Sequence, residues 1–323
     1  VTLREIARTK GRSFYEGRLA KCIADFARKH GAALTEADLA AHQTSWVDPI
    51  SLEFKGVHVH EIPPSGQGIA ALIALGMLAY LPYEQTLLGS AERAHLEIEV
   101  MRAAFADLYA HISVPETMKV SAADLLSPAY LKQRASLIDP HKAGRYEAGQ
   151  PESGGTIYLC AADADGRMIS YIQSNFTGFG SGVVVPGTGI SLHNRGKSFQ
   201  LDADHPNAMA GGKRPMHTII PAFMTRDGKP VMAFGVMGAN MQAQGHLQMT
   251  LRQAVEGLNP QAASDRPRWR IDDHGELIME AQWPAAVIEG LKAMGHTPTV
   301  QPIDSLDFGS AQLIARIESD DGD

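Results

Sequence analysis

The chain is expected to fold as an α+β layered protein. Three observations predict this: helical periodicity dominates the first half, paired strand patterns dominate after Thr156, and further helical runs are interleaved with those strands. In Tyr15–His30, Leu19, Ile23 and Phe26 recur at helical spacing and Gly31 is a stop signal. Thr35 followed by Asp38 forms a short N-cap signal before Leu39. Leu52–Val59 alternates around Lys55-Gly56 and reads as a hairpin. Pro63-Pro64-Ser65-Gly66 breaks the chain ahead of an apolar helix, Ile69–Leu81. A helix over Ala91–Ala110 carries Ala94, Ile98, Met101, Phe105 and Leu108 on one stripe.

Asp139–Gly155 loses periodicity and reads as a linker or exposed loop. Thr156–Ala162 and Met168–Ser174 then read as two strands joined through Ala164-Asp165-Gly166. A three-residue turn with left-handed Gly166 sets Thr156 opposite Ser174, whereas a two-residue Asp-Gly turn shifts the pairing by one. A second hairpin, Ile219–Thr225 with Val231–Val236, turns at Asp227-Gly228. Helices follow over Gln244–Glu256, Pro260–Asp265 (capped by Asn259) and Pro284–Met294.

Composition narrows the function classes. The 323 residues, 44% hydrophobic and 20% charged, suffice for a sizeable core. Twenty-nine basic against 36 acidic residues leave a net charge of −7 with no basic block, which argues against nucleic acid and membrane surfaces as partners. Cys22 and Cys160 lie far apart, without metal-ligand spacing, and are expected as buried thiols. The longest apolar run is too short to span a bilayer. The charged start does not read as a secretory signal, which favours the cytoplasm. A leader preceding Val1 would instead direct the protein to the periplasm.

Ser153-Gly154-Gly155-Thr156-Ile157-Tyr158 stands where the linker becomes a strand. Self-cleavage between Gly155 and Thr156 needs a hydroxyl that can attack the preceding carbonyl and a backbone that glycine makes pliable. A freed threonine carries both a nucleophilic hydroxyl and an α-amine whose ordinary pKa of about 7.7–8.0 suits a general base. By residue type alone, a strand threonine after a glycine turn fits the same text.

From Glu152 almost to the C-terminus the chain resembles the small subunit of γ-glutamyltransferases. The matching text is Gly155-Thr156-Ile157-Tyr158, Asp163-Ala164-Asp165-Gly166, Gly178-Phe179-Gly180-Ser181-Gly182, Pro186-Gly187-Thr188-Gly189-Ile190, Gly212–Pro221 and Gly235-Val236-Met237-Gly238-Ala239. Leu34–Leu39 and Pro63–Gly68 resemble the end of the large subunit. The resemblance implies a four-layer αββα sandwich of the N-terminal nucleophile hydrolases, incomplete here, because the family's large subunit begins before the segment matched by Val1 and its last hairpin runs past Asp323. It implies a large-subunit portion over 1–155 and a small subunit over 156–323, assembled as a self-processed heterodimer or a higher oligomer of it.

By the same resemblance, Thr156 is the self-processing nucleophile and Ser174 stands where a second threonine orients it. Gly238 and Ala239 match the Gly-Gly pair whose N–H groups form the oxyanion hole. Substrate-contacting positions depart from the family: Phe176 replaces an asparagine, the α-amino segment reads His193-Asn194-Arg195, Ser198 replaces an aspartate, and His217-Thr218 replaces a Ser-Ser pair. Arg195 without a carboxylate at Ser198 disfavours a substrate ammonium, and Arg195 with His217 favours an anionic acyl group. The expected activity is amide cleavage of a small anionic acyl donor, as in the cephalosporin-acylase-like and oxamate-hydrolase-like branch. True γ-glutamyl transfer is the narrower alternative, and an unprocessed homologue acting as a binding protein is the second.

No cofactor or metal is expected. Gly178–Gly182 lacks a following helix for a nucleotide loop and reads as turns. His58, His60 and Glu61 read as exposed strand polars rather than ligands. His205 and His246 stand in no motif, and Arg266 and Arg268 read as structural.

Overall fold

The computed structural model describes residues 1–146, 156–302 and 305–317. In chain order its helices are α1 (Thr2–Arg8), α2 (Arg12–Glu16), α3 (Arg18–Lys29), α4 (Glu36–Ala40), α5 (Gly68–Leu78), α6 (Ala91–His111), α7 (Ala122–Leu125), α8 (Pro128–Ala135), α9 (Met241–Ala254), α10 (Pro260–Asp265) and α11 (Ala285–Ala293). Its strands are β1 (Ile50–Phe54), β2 (Val57–Glu61), β3 (Ile157–Ala162), β4 (Met168–Gln173), β5 (Val184–Val185), β6 (Ile190–Ser191), β7 (Ala222–Arg226), β8 (Lys229–Val236), β9 (Trp269–Ile271), β10 (Leu277–Glu280), β11 (Thr299–Gln301) and β12 (Ala311–Ala315). The chain divides into two compact units, one of Val1–Val47 with Asn175–Asn194, the other of Asp48–Ser174 with Arg195–Asp323.

In the smaller unit, the helix expected over Tyr15–His30 is broken at Gly17, where a Cβ would lie 2.8 Å from the Ser13 Cα. The close return of the chain onto Ser13 needs a glycine there. Beyond the break α3 buries Leu19, Ala20, Ile23, Ala24 and Ala27, while Phe26 is only half-buried and packs at a tilt against the His30 ring. Thr35 and Asp38 form a capping box on α4. Gly178, Gly180, Gly182, Gly187 and Gly189 all have positive φ, so that cluster is a set of turns.

The larger unit is built on a five-stranded antiparallel sheet, ordered β1-β2-β7-β8-β12. The two hairpins expected from opposite halves of the sequence, β1-β2 and β7-β8, supply four of its five strands. Each turns on a positive-φ pair, Lys55-Gly56 and Asp227-Gly228, and β2 joins β7 by pairing His58 with Thr225. The halves are therefore not a helical region followed by a strand region. Strand β7 starts at Ala222, later than expected: Pro221 has no N–H, and the Thr218 carbonyl and Ile220 N–H are taken by glutamine side chains.

Successive residues of a strand face opposite ways, and β8 uses this to join two layers. Val236 points to α9, where a Cβ on Gly245 would come within 2.7 Å of it. Gly235 faces the β3–β4 hairpin, and its missing side chain leaves room for the Tyr158 ring. Tyr158 also bonds Ser170 through its hydroxyl at 2.7 Å. Helices therefore cover one face of the sheet and the β3–β4 hairpin covers the other. A further sheet, β11-β10-β9, lies beside α9 and α6.

Helix α6 is buried on nearly every side, not along one stripe. Two of its buried carboxylates are paired: Glu97 accepts from the Tyr83 hydroxyl at 2.8 Å, and Asp107 pairs with Arg134 at 3.0 Å. Part of the expected linker is tied down, with the Gly144 N–H donating to Glu99 at 2.7 Å and that of Ala143 to the Met294 carbonyl at 2.8 Å. The rest of it, 147–155, lies outside the described residues.

Gly235→Ala would force a methyl group into the Tyr158 ring. It should lower stability by about 1–3 kcal/mol, read from the urea midpoint. Gly196→Ala, which meets nothing within 4 Å, should leave that midpoint near its original value.

Candidate active site

Thr156 precedes β3 and is 6% exposed. The hairpin adopts the three-residue turn: Ala162 pairs with Met168, the Asp163 N–H donates to the Arg167 carbonyl, and Gly166 has φ +78°. The last ladder pair is Ile157 with Gln173, so the next position sets Thr156 opposite Ser174. The Thr156 Oγ1 accepts a hydrogen bond of 3.4 Å from Gln242 Nε2. Gly155 lies outside the described residues.

Gln242 is in the first turn of α9, and its backbone N–H donates to the Ala239 carbonyl at 3.2 Å. Gly238 has φ +119° and Ala239 φ +52°. Among the described residues, neither of their N–H groups is bonded. Two successive N–H groups, unbonded among the described residues, thus stand ahead of a 14-residue helix whose dipole favours negative charge at that end. An alanine in the left-handed region costs about 1–2 kcal/mol, and here it is held by its carbonyl. That oxygen accepts from Gln67 Nε2 at 2.8 Å as well as from Gln242.

Gln67 Nε2 also donates to the Thr218 carbonyl at 2.8 Å. His217 lies beside Gln67, exchanging backbone hydrogen bonds with Ser65 and Gln67 at 3.0 Å. Burial pushes His217 down to about 4, with the nearby Arg195 charge acting the same way and a bond to the Ile219 backbone opposing them. It is neutral near pH 7. His217 Nδ1 and Thr218 Oγ1 have no hydrogen-bond partner among the described residues.

Two guanidinium charges act on His217, those of Arg195 and Arg214; Arg195 is 9% exposed and donates from Nη2 to the Ser174 carbonyl at 3.3 Å. The guanidinium therefore sits at the end of β4, across the ladder from Thr156. Ser198 closes the same short helical turn and accepts through its carbonyl from Asn207 Nδ2 at 2.6 Å. Phe176 and Asn194 belong to the smaller unit. Phe176 is buried with φ +81°, and Asn194 Oδ1 accepts from the Thr177 N–H at 3.2 Å.

Sequence reasoning missed the roles of Gln67 and Gln242 because an isolated glutamine carries no motif. It also misread Glu61. The carboxylate is buried and meets His246 Nδ1 at 2.6 Å. Val57, Val59 and Glu61 share a buried face of β2, and that alternation was the available signal. His58 is exposed, and His60 bonds Thr225 Oγ1 at 2.9 Å. His205 Nε2 donates to the Tyr109 carbonyl at 2.8 Å. Cys22 and Cys160 are half-buried free thiols, and desolvation pushes the Cys160 thiol up. Arg268 is structural, bridging Glu280 and the carbonyls of Phe308 and Gly309.

Among the described residues, one cluster has ligand-like spacing: atoms of His95, Glu99 and His296 lie within 4.8 Å of one another. His95 Nε2–H is committed to the Asp139 carbonyl at 2.8 Å, so its Nδ1 accepts from His296 Nε2 at 2.7 Å. Burial lowers both imidazoles, His296 to about 3, and Arg102 stands 3.8 Å from Glu99. Neutral imidazoles in a closed chain beside a guanidinium make a structural tie between α6 and the residues around it.

The sequence model for gamma-glutamyltranspeptidase matches residues 1–320. The chain belongs to this family. It is 35% identical over 293 residues to the glutathione hydrolase-like YwrD proenzyme of Bacillus subtilis, covering 89% of this chain and 55% of that protein. It is 33% identical over 320 residues to the oxamate amidohydrolase proenzyme of Klebsiella pneumoniae, covering 98% and 60%. A solved cephalosporin acylase from Bacillus halodurans superposes with a TM-score of 0.90 at 44% identity, covering 98% of this chain and 57% of that one. The chain thus spans about 55–60% of the length of these relatives. The structural likeness bears out the α+β, N-terminal nucleophile hydrolase class read from the sequence.

Two measurements test this geometry. A histidine whose pKa falls from about 6.5 unfolded to about 4 folded leaves the unfolded chain binding the proton first as pH drops. The contribution of His217 to stability is full above about 6.5 and is lost as pH falls toward 4, so its imidazole resonances should stay unshifted from pH 8 to 5 in an NMR titration. Ala239→Gly relieves the left-handed alanine and should raise the urea-derived stability by up to about 1 kcal/mol.

Proposed function

We propose that this chain forms the catalytic part of a self-processing N-terminal-threonine amidohydrolase acting on small anionic acyl donors. The observation that carries it is the buried Thr156 hydroxyl, joined through Gln242 to the turn whose two N–H groups are unbonded among the described residues. In this reading, cleavage before Thr156 separates a portion over 1–155 from a small subunit beginning at Thr156, and the two remain together as a heterodimer. That the YwrD and oxamate amidohydrolase relatives are named proenzymes supports it.

The freed α-amine takes the Oγ1 proton as Oγ1 attacks the amide carbonyl. The oxyanion of the tetrahedral intermediate is stabilised by the N–H groups of Gly238 and Ala239, each such donor being worth about 3–4 kcal/mol. The amine returns its proton to the departing nitrogen as the C–N bond breaks, leaving an ester on Thr156. Water then attacks that ester, with the amine again as base, releasing a carboxylic acid. Ser174, across the ladder, orients the nucleophile.

Arg195 supports the anionic acyl group. It is a mostly buried guanidinium at the strand end beside Ser174, and the neutral His217 does not compete with it for the charge. His217 Nδ1 and Thr218 Oγ1, without partners among the described residues, would bond polar atoms of the same group, and Ser198 supplies no carboxylate to hold a substrate ammonium. This disfavours γ-glutamyl donors, and the oxamate amidohydrolase relative acts on a small amide of the favoured kind.

Intact mass spectrometry of the protein expressed from its complete reading frame should yield a chain beginning Thr-Ile-Tyr-Leu. Thr156→Ala should abolish both that cleavage and amide turnover, and normal cleavage in this variant would sink the assignment. Arg195→Ala should raise KM for anionic amides at least tenfold more than for neutral ones. Equal effects would remove the argument about acyl charge.

A further inference from the structure

The two ends of the Gln242 side-chain amide have different partners. Its Oε1 accepts from the Ile220 N–H at 3.1 Å, and its Nε2 lies 3.4 Å from Thr156 Oγ1. Gln242 is 0% exposed, Ile220 is 0% exposed and Thr156 is 6% exposed, so water does not compete. Turning the amide over would set an NH2 group against the Ile220 N–H, two donors in a buried site, at a cost of a lost hydrogen bond. A backbone N–H can only donate, so the orientation of the amide is fixed by the chain itself.

We infer that Gln242 is a positioning residue that fixes the direction of the nucleophile's proton. Because its Nε2 can only donate, Thr156 Oγ1 must accept in that bond, and its own O–H is turned away from α9. Its other near groups are the threonine's own α-amine, attached to the carbon next to the one bearing Oγ1, and Ser174 across the ladder, which orients it. The arrangement prepares the proton transfer that begins attack: O–H breaks, N–H forms, and the oxygen lone pair goes to the carbonyl carbon. The inference rests on Thr156 being the nucleophile.

The device also couples nucleophile to oxyanion site. Gln242 holds Oγ1 with its side chain and the Ala239 carbonyl with its N–H, so one residue sets the distance between the attacking atom and the two free N–H groups. Gln67, also bonded to that carbonyl, keeps the turn fixed to the segment at Thr218 that precedes β7.

The test uses two substitutions of similar size in the complete processed protein. Q242E keeps an acceptor for Ile220 but puts a carboxylate where the donor was. The hydroxyl proton is then drawn to the carboxylate, and the negative charge favours the ammonium form of the α-amine. kcat/KM should fall about 100-fold, and the acid limb of its pH profile should move up by about one unit. Q242M removes the donor without adding charge, so kcat/KM should fall about tenfold with the limb unmoved. Near-UV circular dichroism checks that both variants are folded.

Either of two results overturns the inference: both variants turning over like the parent, or Q242E losing activity with an unmoved acid limb, as a merely structural residue would. The Thr156→Ala control separates the two readings. If that variant still processes and turns over, Thr156 is not the nucleophile and both readings fall. If it is dead while the Gln242 variants match the parent, only the inference about Gln242 falls.

Discussion

The side-chain amide of Gln67 is wholly buried and donates from one nitrogen to two carbonyls, those of Thr218 and Ala239. The first lies just before β7 and the second in the turn between β8 and α9, so a single group fixes the segment carrying His217 to the turn carrying the free N–H groups. Truncating it would leave two buried carbonyls short of a donor, and the left-handed Ala239 would lose one of the bonds that hold it. The nucleophile candidate is tied to this point through one intermediary. Gln242 bonds the same Ala239 carbonyl, and Thr156 bonds Gln242.

Helix α9 extends the same principle along its length. Gln244 exchanges two hydrogen bonds with the Ile271 backbone, and Gln248 two with that of Trp269. These residues, four apart on the helix, meet alternate residues of β9, an edge strand of its sheet. The glutamines therefore serve as the missing neighbour strand, satisfying an edge that would otherwise be buried unpaired. A helix committed to these bonds has little freedom to shift, which keeps its first turn, and hence Gln242, in register with Thr156. The neutral histidine chain at His95 and His296 ties down α6 in a comparable way.

Burial decides the electrostatics of the site. Arg195 and His217 are both cations by residue type, yet desolvation and mutual repulsion leave only the guanidinium charged near neutral pH. Glu61 and His246 make the opposite point, since two polar residues without a motif become a wholly buried pair. Neither outcome is written in residue identity, because each depends on which groups the fold removes from water together.

The local features were legible in the sequence because their causes are local. Lys55-Gly56 and Asp227-Gly228 announce two-residue turns, Thr35 and Asp38 a capping box, and Asn259 with Pro260 a helix start. Thr156 stood out from its glycine-rich approach and the resemblance around it, and the hairpin register needed only the choice between two turn lengths. Tertiary structure decided the rest. It joined hairpins more than 150 residues apart into one sheet, as the pairing of His58 with Thr225 requires. It also started α9 three residues earlier than its periodicity suggested, because the apolar pattern that marks a surface helix fades where glutamines are buried against backbone. A sequence records the preferences of each segment. Which backbone groups need a partner, and which side chains must supply one, is settled only when distant segments meet.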